Sequence, residues 1–252
     1  LRSLFILGAG RSGTSLSAGL LADAGYFMGD ELIPPRDANP KGFFEDAEVN
    51  GINEELLIPL LHRRPRLLGR WVMRDRLTTG QRWLAALPAG TIVASNEAID
   101  ERIQELVARR PFCFKDPRFA YTLPAWQRYA PEAAMVCVFR EPGRTAASIV
   151  KECETALYLR GLRMDVDRAV EVWERIYENI LDKSAKGGDW LFLHFDQLFT
   201  PDGIQRLERF AETRVDHEFA DYGLRRSSND VEVSENSKRL YAELSTRAGY
   251  EQ

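Results

Sequence analysis

No apolar run in this chain approaches the ~18 residues that mark a membrane-spanning helix, and no signal-peptide pattern precedes the first apolar segment, Leu4–Leu7. Cysteine is scarce. Cys113, Cys137 and Cys153 are odd in number, far apart and without a C-x-x-C pair, so nothing suggests a disulfide framework. Cys113 and Cys137 fall inside apolar segments and read as small buried thiols, and a reducing, cytoplasmic setting is expected. The histidines, His62, His194 and His217, have no metal-ligand spacing, so no metal site is expected. Positive charge is not in surplus: Lys plus Arg is 34, Asp plus Glu is 38, and the net charge is -4. That balance argues against wholesale nucleic-acid binding but leaves room for a local basic pocket. Internal repeats and low-complexity tracts are also absent.

What is present is a globular composition. A hydrophobic fraction of 44% over 252 residues suits one α/β domain with a sizeable core. Residues 1–252 read as one domain, with a core over 3–212 and a polar segment over 213–252. Apolar strands are expected at Leu4–Leu7, Phe112–Lys115, Ala134–Phe139 and Trp190–Phe195, with a further short one at Thr91–Ala94. Helical spacing predicts helices over Gly13–Gly25, Ala47–Leu61, Gly80–Leu87, Glu97–Arg109, from about Arg144, around Val166–Ile180, and over Pro201–Ala211. Ile33–Phe44 is rich in Pro, Gly, Asp and Asn and reads as a long loop of functional type. The alternation of strands and helices implies a mainly parallel sheet flanked by helices, and the glycine-rich turn after the first strand makes a P-loop NTPase-like core the expectation. Ligands in such folds bind at the carboxyl ends of the strands.

The segment Leu4–Leu16 carries the strongest signal. An apolar strand runs into the turn Gly8-Ala9-Gly10-Arg11-Ser12-Gly13, and a helix follows from Thr14-Ser15. Turn amides and a helix N-terminus together make an anion cradle. The pattern nearly spells a Walker A loop, but Thr14 stands where its lysine belongs and Arg11 supplies the charge three positions earlier. Two further strand ends are polar: Lys115-Asp116-Pro117-Arg118, and Arg140-Glu141-Pro142 with Ser148 eight residues after Arg140. Parallel strands would bring all of these to one rim. Arg140 and Ser148 can clamp a phosphate through charge and hydroxyl, which makes a second anion site. A nucleoside triphosphate needs one continuous site and Mg²⁺, and no acidic strand end stands out as a magnesium holder.

With these residues in place, the chain resembles the sulfotransferases that use 3′-phosphoadenosine-5′-phosphosulfate (PAPS). Arg11-Ser12-Gly13-Thr14-Ser15 matches the core of that family's 5′-phosphosulfate loop, with Ala9-Gly10 replacing the usual preceding residues. Arg140, Pro142 and Ser148 match its 3′-phosphate motif. Lys115-Asp116-Pro117-Arg118 resembles a segment common in bacterial members, and His194-Phe195-Asp196-Gln197-Leu198 a substituted form of their Y-E-D-L strand end. The resemblance spans about residues 3–212.

It implies transfer of a sulfuryl group from PAPS to a hydroxyl or amine of a small-molecule or glycan acceptor, without metal, releasing 3′-phosphoadenosine-5′-phosphate. Gly10, Arg11, Ser12, Gly13, Thr14, Ser15, Arg140 and Ser148 would then bind the donor, with Arg11 also neutralising the leaving phosphate. Arg225 and Arg226 stand where members place a late basic segment; a solvated basic pair is the other reading. Many members carry a histidine base two residues after the strand-end lysine, but Pro117 stands there in this chain. Glu45, after the long loop, is the first candidate base, and carbohydrate-modifying members use a glutamate in a comparable region. Its alternative is a carboxylate serving a helix N-terminus. Asp116 is the rival base, or a partner for Arg118. Lys115 is a candidate to bridge the leaving oxygen, or to pair with Asp116. Phe43, Phe44, Trp71, Trp83, Phe119, Tyr121 and Tyr158 are aromatics that line either an acceptor pocket or the core. Two other functions stay open: a P-loop kinase or NTPase of the same fold, and a non-catalytic nucleotide-binding protein.

Overall fold

A computed structural model describes residues 1–35, 41–61, 77–220 and 231–251. Strands β1 (Leu4–Leu7), β2 (Cys113–Lys115), β3 (Ala134–Phe139) and β4 (Trp190–His194) form one sheet in the order β2-β1-β3-β4. Every pairing is parallel, with Ile6 beside Lys115, Leu7 beside Cys137 and Phe139 beside His194. The carboxyl ends therefore share one rim. Because β1 leads to one side of the sheet and β3 to the other, the crevice of the fold opens between their ends.

The strands are near-continuous apolar runs because both sheet faces are covered. Alternate residues point to opposite sides. Leu4 and Ile6 pack with Val136, Val138 and Leu193 under α1 (Thr14–Leu20) and α7 (Pro201–Ala211). Phe5 and Leu7 face the larger core, which takes in α2 (Ala47–Leu57), α3 (Glu97–Ala108), α4 (Phe119–Gln127), α5 (Pro142–Thr155) and α6 (Val166–Ala185). Phe5 anchors that side: its ring centroid lies 5.1 Å from Phe112, 5.1 Å from Phe119 and 6.1 Å from Trp126.

Local chemistry sets the helix starts. Asp46 caps α2 by accepting from the Glu48 and Val49 amides, each at 3.0 Å. Glu141 caps α5, and Pro142 occupies its first turn, so this helix begins two residues before the expected Arg144. Three other expectations are corrected. Thr91–Ala94 forms no strand: its one large apolar residue, Ile92, is 84% exposed and has nothing to pack on. Gly80–Leu87 contributes only a single 3-10 turn, Arg82–Leu84, and α2 stops at Leu57 rather than Leu61.

The larger correction concerns the polar C-terminal segment. It contains α8 (Glu235–Ala248), capped by Ser234 and ended by Gly249 in the left-handed conformation. Leu240, Tyr241, Leu244 and Ala248 are buried in the larger core. Tyr241 Oη lies 3.2 Å from His194 Nε2, and Gln197 Nε2 donates to the Ala248 carbonyl at 3.0 Å. His194 is thus a buried structural histidine, while His217 is exposed and bonded to Glu208 at 2.9 Å. His62, Trp71, Arg225 and Arg226 lie outside the described residues. No described helix is long and apolar enough to cross a membrane.

Leu244 is fully enclosed, so Leu244→Ala is expected to lower unfolding stability by about 2–5 kcal/mol in urea titration. A loss under about 0.5 kcal/mol would show that α8 is peripheral to the cooperative core.

Candidate active site

The loop between β1 and α1 is shaped by close packing. Gly13 has φ 98°, and a Cβ there would fall 2.5 Å from the Phe195 ring, so both conformation and space require glycine. A Cβ on Gly10 would lie 2.4 Å from the Trp83 indole, which presses the turn from the other side. The Tyr177 hydroxyl donates to the Val138 carbonyl at 2.8 Å and accepts from the Ala9 amide at 3.1 Å, stapling the loop to β3. Since α1 spans only 7 residues, its dipole is short, and loop amides and side chains carry most of the local field.

Arg11 adopts φ 71°, unusual for a residue with a side chain. Its Nε donates to Ser148 Oγ at 3.2 Å, and its guanidinium pairs with Glu152 at 3.7 Å. The two candidate anion motifs of the sequence are therefore joined by a direct hydrogen bond across the β1–β3 crevice. Ser12 is enclosed. Its Oγ makes no hydrogen bond of normal geometry, although it lies near enough to the Tyr177 hydroxyl to act on its ionisation. Thr14 is buried and Ser15 half-buried at the start of α1.

Arg140 follows β3 and is half-buried, with its guanidinium 4.7 Å from the Phe195 ring centroid. The same ring closes over Gly13, so Phe195 sets the spacing of both turns. Glu141 uses its carboxylate to cap α5, accepting from Gly143 N at 2.9 Å and Arg144 N at 2.6 Å. Burial holds the Arg140 guanidinium below its usual pKa, and the like charges of Arg144 and Arg11 add to this against partial relief from Asp196 and Glu141. Such a cluster favours a bound anion.

On the other side of β1, Lys115 at the end of β2 is buried and pairs with Glu45. The structure thus brings together two candidates that lie far apart in sequence. A short antiparallel bridge between Leu32 and Asp46, with Ile33 N donating to the Glu45 carbonyl at 2.7 Å, fixes this stretch of backbone. Asn50 Nδ2 donates to Glu45 Oε2 at 3.0 Å. Burial pushes the Glu45 carboxyl upward, but the charges of Lys115 and Arg118 and the hydrogen bonds of Lys115 and Asn50 outweigh it. The net displacement is downward, so Glu45 is a carboxylate at neutral pH.

Asp116 is fully enclosed. It accepts from Asn53 at 3.0 Å, from the Arg118 amide at 2.7 Å and from Arg118 Nη1 at 3.0 Å. Burial raises its pKa, and no face of it is left for an acceptor. It is thus bonded to Arg118, the alternative to its reading as a base.

Several polar residues behind the rim escaped the sequence reading. Glu54 on α2 accepts from Arg118 Nε at 2.8 Å and pairs with Arg82. Glu152 on α5 binds Arg11 and takes a hydrogen bond from Tyr158 Oη at 3.3 Å. Burial raises the Tyr158 pKa, with Glu45 and Arg11 among the charges that act on it. Trp83, Phe119 and Tyr121 are core residues, whereas Phe43 and Phe44 are only partly covered. The available signal was the helical spacing of Asp46, Asn50, Asn53 and Glu54: polar residues alternating with apolar ones on one buried face.

A model described as "Sulfotransferase family" matches residues 3–216. No curated protein matches the chain. Among solved structures, the sulfotransferase domain from the curacin biosynthetic pathway is similar at 15% identity and TM-score 0.52, covering 100% of this chain and 99% of that one. Sulfotransferase STF9 from Mycobacterium avium is 16% identical with TM-score 0.46, covering 97% and 68%. STF1 from Mycobacterium tuberculosis H37Rv is 13% identical with TM-score 0.43, covering 99% and 74%. The curacin-pathway domain shares the fold; at that identity the likeness says nothing about substrate.

Proposed function

We propose that this chain, which belongs to the sulfotransferase family and is a sulfuryl-transferring enzyme, takes its sulfuryl group from PAPS and passes it to a hydroxyl or amine of a small-molecule or glycan acceptor. The observation that carries the donor assignment is the bond from Arg11 Nε to Ser148 Oγ across the β1–β3 crevice. It makes one basic cleft of two anion motifs on two strand ends, as a nucleotide with phosphates at both ends of its nucleoside requires. The residues fit such a donor: Ser12 Oγ is enclosed without a normal hydrogen bond, and burial beside Arg144 and Arg11 strains the charge of Arg140. The kinase reading lacks support at Thr14, which is buried and uncharged where a Walker lysine would reach phosphate.

The donor supplies an activated sulfuryl group. Gly10, Arg11, Ser12, Gly13, Thr14 and Ser15 hold its 5′ end, and Arg140 with Ser148 holds its 3′-phosphate. Arg11 and the loop amides offset charge on the departing phosphate, which removes the need for a metal in this reading. Glu45 accepts the proton of the acceptor. Its lowered pKa keeps it ionised, and the acceptor proton becomes acidic enough to move to it only as the new bond forms. Lys115 holds Glu45 and adds positive charge at the reacting centre.

Arg140→Ala is expected to weaken binding of 3′-phosphoadenosine-5′-phosphate by about 2 kcal/mol in calorimetry, the scale of a lost charged hydrogen-bond pair. Unchanged affinity would place the 3′-phosphate elsewhere. Glu45→Gln is expected to cut turnover of labelled PAPS, with an acceptor found by screening, at least ~100-fold while leaving donor affinity intact. Near-normal turnover would remove the base assignment.

A further inference from the structure

The segment Lys115-Asp116-Pro117-Arg118 ends β2, yet only its lysine has been given a part in the reaction. Arg118 is 4% exposed and cannot reach an acceptor or a donor in the open cleft. Its guanidinium is instead fully committed behind the rim. Nε donates to Glu54 at 2.8 Å, Nη1 donates to Asp116 at 3.0 Å, and Nη1 also donates to Asn50 Oδ1. Glu54 is held in turn by the amide and side chain of Arg82.

The contact with Asn50 has a consequence one residue further on. A carboxamide has an accepting and a donating end. With a guanidinium on its oxygen, Asn50 must present its NH₂ group to the other side. There it donates to Glu45 Oε2 at 3.0 Å, while Lys115 binds Oε1. A flipped Asn50 would set NH₂ against guanidinium and an amide oxygen against carboxylate, which is unfavourable at both ends. Arg118 therefore decides which end of Asn50 meets Glu45.

We propose that Arg118 is a positioning residue for the transfer reaction, acting through Asn50 to hold the Glu45 carboxylate in its place and charge state. This inference rests on the reading of Glu45 as the base. The groups that bear on Glu45 come from each neighbouring element: Lys115 from β2, Asp116 and Arg118 from the turn after it, Asn50 from α2, and Tyr158 from the 3-10 turn after α5. Among these the two cations and the Asn50 amide favour the carboxylate, in agreement with its lowered pKa.

The test is a ¹³C-carboxyl NMR titration of glutamate-labelled protein, with the Glu45 signal identified by its loss in Glu45→Gln. In the unaltered chain Glu45 is expected to titrate below the ordinary glutamate value of about 4.3. Asn50→Asp keeps an acceptor for Arg118 but replaces the donor by a negative charge against Glu45. It is expected to move the Glu45 titration up by at least about one pH unit, as two adjoining carboxylates do. Arg118→Lys keeps the charge but loses the planar fork. It is expected to shift Glu45 in the same direction and to reduce turnover at least ~10-fold, with unchanged affinity for 3′-phosphoadenosine-5′-phosphate. If one variant fails to fold, the other decides.

An unmoved Glu45 titration, or loss of donor affinity in parallel with turnover, overturns the proposal. These outcomes are separate from failure of the base reading. That failure would appear as normal turnover in Glu45→Gln and would leave the titration shifts in place.

Discussion

Taking Glu45, Glu54 and Asp116 out of water costs several kcal/mol per charge unless cations are buried with them in good geometry. Lys115, Arg118 and Arg82 are those cations. Each carboxylate has a basic partner, and Asn50 and Asn53 donate further hydrogen bonds to Glu45 and Asp116. This balanced cluster lies directly behind the rim where the strands end. It fixes how α2, the end of β2 and the Arg82 turn sit relative to one another. Breaking one partner would leave an uncompensated buried charge, so these elements are tied together by their ion pairs.

The donor side is built differently and coupled through few contacts. There the packing is of rings on glycines: Trp83 against Gly10 and Phe195 against Gly13. Trp83 is the neighbour of Arg82, so the turn that presses on the donor loop is anchored by Glu54 in the charge cluster. On the opposite side Arg11, Glu152 and Tyr158 form a second link, and the charges of both Arg11 and Glu45 act on Tyr158. The two halves of the site can thus hold a fixed separation, which a transfer between two bound partners requires.

The parallel sheet and the glycine-rich turn after β1 were legible in the sequence, because their signals are local. Parallel strands covered on both faces appear as unbroken apolar runs, and a turn that binds anions needs its glycines and basic residue within a few positions. The pairing of Lys115 with Glu45 was not legible, since it joins residues far apart in the chain through the packing of α2 on β2. Sequence neighbours offered Lys115 only Asp116 as an ion-pair partner, while the pairing of Asp116 with Arg118, two residues apart, was within reach of the sequence. The contacts of Arg118 with Glu54 and Asn50 on α2 were hidden for the same reason as the Lys115–Glu45 pair. α8 was missed because its buried stripe of Leu240, Tyr241, Leu244 and Ala248 is narrow among polar residues. Thr91–Ala94 erred the other way: a short apolar stretch has strand-like composition but no neighbour to pair with.

The central claim is that the β1–β3 crevice is made for a nucleotide with phosphates at both ends of its nucleoside. A thermal-shift comparison of 3′-phosphoadenosine-5′-phosphate with Mg·ATP tests it most directly, because a ligand that binds the folded state raises the unfolding midpoint. At a hundredfold excess over its Kd such a ligand adds about 2.7 kcal/mol. The account predicts a clear rise with 3′-phosphoadenosine-5′-phosphate and little change with Mg·ATP at the same concentration. A rise with Mg·ATP and none with 3′-phosphoadenosine-5′-phosphate would contradict it.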